Sequence, residues 1–425
     1  MNYPDSVQFL YALGNEIKTA KLGLERIRAL LDALGRPQDR CRFVHVAGTN
    51  GKGSTCAMIE SALRAAGRRT GLFTSPHLSK PTERIRIDGR PVSADSFAAA
   101  FDRVHEAVER LLVAGGIDQH ATYFETVTAM AILIFAEERT DMVALEVGLG
   151  GSLDATNVVL PELCVVTPID FDHEAYLGRS LEAIAGEKAG ILKPSVPAVF
   201  APQRPEAARA LDRRAGALAV PVARTADWEV RDLELQLRGS RFALSGDMEL
   251  SIHCPLAGEH QVENAVTAAV ASYRLGLTKD AIEVGIARTW WPGRLERVCE
   301  NPEIILDGAH NPAGARALAA YIDRFYAGRA VRLIYGAMRD KAVAEISGIL
   351  FPRAAEVILT APRQPRAVAP ETLRGMADHP HMRIASDMEE ALQAGSLPCD
   401  VTFITGSLFL VAEARAILGS GSFPE

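Results

Sequence analysis

Three features of this 425-residue chain predict an α/β fold in two domains. From Arg42 onward, short β-rich apolar runs alternate with longer helical patterns, the signature of βαβ units around a largely parallel sheet. A second alternation of the same kind begins after Trp290-Trp291-Pro292-Gly293, where regularity breaks. The length also exceeds the roughly 250–300 residues at which one hydrophobic core usually stops growing.

Strands are predicted at 43–47, 70–74, 142–147 and 163–169, and helices at 54–66 and 124–138, where apolar residues recur at helical spacing. Between Trp228 and Cys254 the pattern changes. Leu233, Leu235 and Leu237 alternate with polar residues, and Gly239 and Gly246 interrupt the run, as in antiparallel hairpins. A small β lobe is expected there. Helical spacing returns at 259–275 and 279–289. Beyond the break, strands near 303–306, 331–335, 357–360 and 402–405 alternate with helix-like segments, which predicts a smaller Rossmann-like domain. The two domains are expected at 1–290 and 291–425, with a loose tail from Gly419.

Composition narrows the function classes. Hydrophobic residues at 48 % and charged residues at 23 % match an ordinary globular protein. A net charge of -7 without a long basic run argues against a nucleic-acid surface, so an anionic ligand has to be held by local chemistry. Cys41, Cys56, Cys164, Cys254, Cys299 and Cys399 lack the paired spacing of a zinc site or disulfide framework, and free thiols in a reducing cytosol are expected. No basic segment followed by an apolar stretch opens the chain, and no apolar run reaches the ~18 residues of a membrane span. A cytoplasmic monomer with no membrane or nucleic-acid partner is expected.

The segment 46–55 follows a predicted strand and opens a predicted helix, the context in which a glycine-rich loop cradles phosphate. Gly48, Gly51 and Gly53 let the backbone turn N–H groups toward one anion, with Thr49, Asn50 and Ser54 in the same loop. Lys52 adds a point charge for the terminal phosphates. Gly53 separates the lysine from Ser54, a departure from the general GxxxxGK[ST] spelling. No Asn-Lys-x-Asp guanine-reading segment occurs, which favours ATP over GTP. The first domain is therefore expected to be a phosphate-loop ATPase with a mostly parallel sheet.

The run Gly48-Thr49-Asn50-Gly51-Lys52-Gly53-Ser54 resembles the phosphate loop of the Mur ligase superfamily, in its folylpolyglutamate synthase and dihydrofolate synthase branch. Further segments agree in order and spacing: Thr74-Ser75-Pro76-His77, Tyr123-Phe124-Glu125, Leu145-Glu146-Val147-Gly148, Leu153-Asp154-Ala155-Thr156-Asn157, Asp172-His173, Glu187-Lys188-Ala189-Gly190, Trp291-Pro292-Gly293-Arg294 and Asp307-Gly308-Ala309-His310-Asn311-Pro312. The resemblance runs from about Leu22 into the second domain.

That resemblance implies an ATP-dependent ligase that adds L-glutamate to dihydropteroate and to reduced folates through an acyl phosphate. It implies Mg²⁺ ligands at Ser75, Glu146 and His173, and oxygen donors suit that hard cation. Lys188 resembles the family lysine that CO₂ carbamylates, which would make it a fourth ligand, and a monovalent cation is a further candidate. Lys52, Glu146, His173 and Lys188 are the expected catalytic groups, and Asn264, Arg294, Asp307 and His310 are expected near ATP. The pterin is expected against Ala20, Lys21 and Leu22, Thr122, Tyr123, Phe124 and Glu125, and Leu153, Asp154 and Ala155. The bland reading of Tyr123 and Phe124 is core packing, and that of Arg294 and Asp307 is an interdomain ion pair. Many relatives carry arginine after Gly150-Gly151, where this chain has Ser152.

Two alternatives stand beside this reading. A cell-wall peptide ligase of the same superfamily needs a preceding nucleotide-sugar domain, for which the 47 residues before Gly48 are too few. A nucleotide-binding regulator without ligase activity is the other.

Overall fold

The computed structural model describes residues 1–13 and 23–419, so the candidate contacts Ala20, Lys21 and Leu22 lie outside the described residues. The strands, in chain order, are β1 Phe43–Ala47, β2 Thr70–Phe73, β3 Ile85–Ile87, β4 Arg90–Pro91, β5 Met142–Glu146, β6 Leu163–Val166, β7 Ala198–Phe200, β8 Val222–Arg224, β9 Glu229–Gln236, β10 Gly239–Ser245, β11 Leu250–Cys254, β12 Glu296–Glu300, β13 Glu303–Leu306, β14 Val331–Tyr335, β15 Glu356–Leu359, β16 Met382–Ile384 and β17 Val401–Thr405. An eight-stranded sheet has the order β4-β3-β2-β5-β1-β6-β7-β8 and is parallel from β2 to β8. A six-stranded sheet, β12-β13-β17-β14-β15-β16, is parallel except for β12.

Strands β1 and β5 are buried along their whole length because helices cover both faces of the first sheet. Alternation sorts their side chains. Val44, Val46, Met142 and Ala144 face a core shared with the helix Lys52–Ala65, while Phe43, Val143 and Leu145 face the core of the helices Ala94–Val113 and Tyr123–Glu137. The same period of two turns Glu146, the last residue of β5, toward the helix Lys52–Ala65.

Most boundaries agree with the sequence reading within two residues, and three differences have physical causes. The strand expected at 163–169 stops at Val166. Pro168 has no N–H for the ladder, and its carbonyl instead accepts from the N–H groups of Thr49 (3.0 Å) and Asn50 (3.3 Å). The helix expected from 54 begins at Lys52, because Gly51 adopts φ +85° and turns the chain directly into it. The lobe β9–β11 is an antiparallel sheet, but its buried face comes from Phe242, Leu244, Leu250 and Ile252 on β10 and β11. Strand β9, with Leu233 exposed, is an edge that only Leu235 ties to the core.

The helix Lys52–Ala65 is itself buried from Ser54 to Leu63. The helix Lys279–Ala287 crosses it where Gly285 meets Ala62, so closely that a Cβ on Gly285 would lie 2.3 Å from the Ala62 Cα. Ser61 Oγ donates to the Gly285 carbonyl at 2.6 Å in the same contact. Gly285→Ala therefore overpacks the support of the phosphate-loop helix. We expect a loss of about 1–3 kcal/mol in urea unfolding, and a variant as stable as the parent would show that the two helices can part freely.

Candidate active site

Neighbouring parallel strands end side by side, and the order β2-β5-β1-β6 turns this into a site. Ser75 follows β2, Glu146 ends β5, the glycine-rich loop follows β1, and the segment 167–173 follows β6. Register pairs Val46 with Glu146 across β1 and β5. The Glu146 carboxylate accepts from the Ser75 N–H at 3.0 Å. Burial pushes its pKa up, against the pull of Lys52, the Ser75 N–H, Arg294 and Arg84.

The loop is stitched to the β6 segment and to later helices. Thr49 Oγ1 donates to the Asp170 carbonyl (3.0 Å), and Lys52 Nζ donates to the Thr49 carbonyl (3.1 Å). Gln261 Nε2 donates to Ser54 Oγ at 3.3 Å, and Asn264 Nδ2 donates to Gln261 Oε1 at 3.0 Å. Asn264 packs so close to the helix start that a Cβ on Gly51 would lie 2.1 Å from its Oδ1. A residue remote in sequence thus lies against the phosphate loop.

Lys188 ends the helix Leu181–Lys188, which Ser180 caps, and it is buried rather than solvent-facing. Its Nζ donates to the Gly48 carbonyl at 2.8 Å. Burial, and then the nearby Lys52, lower its pKa to about 7. Ser152 caps the same helix end, its N–H and Oγ both donating to the Glu187 carbonyl (2.9 and 3.2 Å). Ser152 is thus tied to the backbone that presents Lys188.

The second sheet brings its own carboxyl edge against the first. Asn311, which caps the helix Pro312–Phe325, donates through Nδ2 to Asn50 Oδ1 (2.9 Å) and Asp172 Oδ2 (3.1 Å). Lys341 Nζ donates to Asp172 Oδ1 at 2.7 Å and lies 3.3 Å from His173 Nε2. Burial opposes the Asp172 charge, but Lys341, His310 and His173 outweigh it and hold the carboxyl well below the usual range. Burial, followed by Lys341, lowers the pKa of both His173 and His310 to about 4, so both imidazoles are neutral at pH 7. His310 Nδ1 lies 2.7 Å from the Gly308 carbonyl.

Arg294 is half-buried and Asp307 buried at the junction, but among the described residues they form no ion pair. Asp307 instead accepts from the backbone N–H groups of Leu295 and Ala309, each at 3.0 Å, which tightens the turn after β13. Burial raises its pKa, and Arg294 pulls the other way.

The candidate pterin wall is already well packed. Tyr123 is 6 % exposed, its ring parallel to that of Tyr11 at 6.0 Å, with the Arg84 guanidinium 5.1 Å from its centre. Phe124 is tilted against Phe73 at 5.9 Å. Thr122 and Glu125 form a capping box at the start of the helix, and Glu125 Oε2 also accepts from Arg26 Nε at 2.8 Å. Asp154 accepts from the N–H groups of Leu149 (2.8 Å) and Thr156 (3.0 Å), shaping the loop between them. Ala155 is buried and Leu153 is exposed.

Sequence reasoning missed Lys341 and the double role of Asn311. A single lysine in the loop after β14 carries no local signal. Lys341 and Asp172, with 7 % and 10 % of their side chains exposed, form a nearly dry ion pair between the two halves of the chain. Removing one partner of such a pair typically costs about 3–5 kcal/mol, because the other charge is left uncompensated. Lys341→Ala is expected to loosen the contact between the sheets and raise the radius of gyration in X-ray scattering, with unchanged circular dichroism. An unchanged scattering curve would show that the Asn50–Asn311 contact suffices.

Comparison with known proteins agrees along the whole chain. The model of the Mur ligase middle domain matches residues 46–272, and that of the Mur ligase glutamate ligase domain matches 293–408. The dihydrofolate synthase/folylpolyglutamate synthase of Bacillus subtilis is 35 % identical over 412 residues, covering 93 % of this chain and 94 % of that protein. The folylpolyglutamate synthase of Lacticaseibacillus casei is 35 % identical over 433 residues, covering 99 % and 100 %. The crystal structure of Mycobacterium tuberculosis folylpolyglutamate synthase complexed with ADP and AMPPCP superposes with a TM-score of 0.92 at 34 % identity, covering 99 % of this chain and 100 % of that one. These relatives support the glutamate-ligase reading over the cell-wall peptide ligase and the regulator. The chain belongs to the Mur ligase family, in its dihydrofolate synthase/folylpolyglutamate synthase branch.

Proposed function

We propose that the chain joins L-glutamate to the carboxylate of dihydropteroate and of reduced folates, at the cost of ATP, with ADP and phosphate as products. The observation that carries this reading is the meeting of the phosphate loop, Ser75 and Glu146 at one buried sheet edge, in a chain whose near full-length relatives are dihydrofolate and folylpolyglutamate synthases. ATP lies between 1–290 and 291–425, taken as the two domains. The enzyme acts as a cytoplasmic monomer; among the described residues no helix is long and apolar enough to cross a membrane.

A carboxylate becomes an acylating agent when its oxygen attacks the γ-phosphorus of ATP and ADP leaves. The glutamate amine then attacks the carbonyl of the acyl phosphate and expels phosphate. Positioning and charge neutralisation supply most of the acceleration. The N–H groups of 51–54, at the start of the helix, cradle the phosphates, Lys52 offsets their charge, and Arg294, Asn264, Asp307 and His310 close on the nucleotide. Two features of the donor set fit Mg²⁺: Glu146 and Ser75, joined by the bond from the Ser75 N–H to the carboxylate, both carry hard oxygens, and His173 is neutral with a buried Nδ1 that makes no hydrogen bond. Mg²⁺ when bound draws charge from the transferred phosphoryl group. A monovalent cation is a further candidate. Tyr123, Phe124 and Leu153 border the pterin, while Thr122, Glu125, Asp154 and Ala155 hold the backbone that presents them.

Release of ADP in the presence of glutamate tests this reading. Dihydropteroate and a reduced folate should both drive it, and a muramoyl peptide should not; a chain that extends folates and ignores dihydropteroate is monofunctional. Lys52→Ala and Glu146→Ala should fold normally and lose about 10²–10³ in rate, the usual cost of removing a preorganised charge. Near-parental turnover in either variant removes the proposed centre.

Lys188 is read as a carbamate. The neutral Nζ attacks CO₂, an N–C bond forms and a proton leaves, so an ammonium without acceptors becomes an anion with two oxygens. Because its pKa of about 7 lies below the ordinary 10.5, the reactive neutral amine grows in as pH rises through 7. ¹³C-labelled CO₂ should therefore enter the protein increasingly over that range, detected as a carbamate carbon resonance absent from Lys188→Ala. That variant should be nearly inactive and recover in part with a short carboxylic acid. Full activity without rescue would reduce Lys188 to a packing residue.

A further inference from the structure

Among the described residues, one cluster of side chains outside the site described above is arranged as metal ligands are. His105 and Glu109 lie one turn apart on the helix Ala94–Val113, and His120 comes from the loop that leads into the helix Tyr123–Glu137. One imidazole nitrogen from each histidine and one Glu109 carboxylate oxygen all lie within 4.8 Å of one another. We propose that His105, Glu109 and His120 form a binding site for a divalent first-row transition metal ion, with zinc as the best-fitting member.

The tautomer of His120 points the same way. Its Nδ1 lies 2.8 Å from the Ala121 carbonyl, and a carbonyl only accepts, so Nδ1 carries the proton. The lone pair then sits on Nε2, which is buried and has no hydrogen-bond partner. A backbone carbonyl on the far nitrogen is the usual arrangement behind a metal-ligating histidine. His105 Nδ1 is enclosed without a partner as well. Each such uncompensated polar atom costs about 1–3 kcal/mol, and a cation shared by the cluster removes the cost on whichever nitrogens face it.

Two imidazoles and one carboxylate suit zinc better than magnesium or calcium, which prefer all-oxygen shells. Three protein ligands leave a fourth position for water, reachable because Glu109 is exposed. The apolar side of the cluster is closed by Phe9, whose ring centre is 4.7 Å from that of His105 and 5.6 Å from that of His120. The ion would cross-link the helix Ala94–Val113 to residue 120, two positions before the Thr122 cap of the helix that carries Tyr123 and Phe124. Its expected effect is to stiffen that wall from behind, without touching the phosphate loop.

The test is zinc chloride alone, titrated into metal-stripped full-length protein against a chromogenic chelator. The variants are His120→Ala, His105→Ala and Glu109→Gln, with His173→Ala as the control for zinc at the phosphate-loop site. The parent and His173→Ala should share one tight equivalent that the two histidine variants lack. Glu109→Gln, at an exposed position that should not disturb folding, should weaken that equivalent by at least about 10-fold, the lower end of what even an outer-shell change costs. Cobalt in place of zinc should give the intense visible bands of a four-coordinate site in the parent and not in His120→Ala. Equal zinc uptake by the parent and the histidine variants, loss only in His173→Ala, or undiminished affinity in Glu109→Gln would overturn the proposal and leave the cluster as aromatic packing.

Discussion

Parallel pairing of β2, β5, β1 and β6 controls the distances at the candidate active site, because strands that run side by side in one direction also end side by side. Each strand then needs to deliver only one short loop. Glu146 meets the Ser75 N–H across one strand spacing, and the phosphate loop lies between the β5 and β6 ends, where Pro168 and Asp170 tie it down. A slip of one residue in β5 would turn Glu146 to the opposite face, into the apolar core beside Phe73, and would turn Leu145 out of it. Burial of both faces of β1 and β5 opposes such a slip, so the hydrophobic pattern and the site geometry share one cause.

The charges at this edge are held under stress. Lys188, Glu146, Arg294 and Asp307 all have pKa values moved toward their neutral forms by burial. Fixed dipoles and neighbouring charges keep them in place: the Gly48 carbonyl for Lys188, the Ser75 N–H for Glu146, and two backbone N–H groups for Asp307. An arrangement of this kind is ready for a highly charged ligand, because little has to reorganise when the ligand arrives. Asp172 is the exception, since Lys341 reaches over from the second sheet and stabilises its charge.

How much was legible depends on the range over which each interaction acts. The alternation of strands and helices, the phosphate loop and the small antiparallel lobe are local patterns, and periodicity exposes them. Resemblance added Asn264 and Lys188, whose contacts with the loop no spacing could reveal. The alternation of Leu233, Leu235 and Leu237 marked the antiparallel lobe, but that β9 is its solvent-facing edge while β10 and β11 supply the face that packs was decided by contacts outside the segment. Thr122, Glu125 and Asp154 carry helix-capping and loop-shaping bonds, and polar residues at such positions look alike in sequence whether they hold backbone or ligand.

The sequence by itself determined where β1, β2, β5, β6, β13, β14, β15 and β17 lie, where glycine and proline interrupt the pattern, and that a phosphate-binding loop stands between the first strand and its helix. These follow from side-chain size, polarity and backbone freedom over a few residues. Only the tertiary structure decided that Asn311 and Lys341 close on Asn50 and Asp172, that Lys188 is buried beneath Gly48, and that His105, Glu109 and His120 come within ligand distance of one another. The partners in these contacts lie up to 261 residues apart, and nothing in the local chain encodes which distant group will share a low-dielectric space. There, removal from water makes each pairing costly to leave unmade.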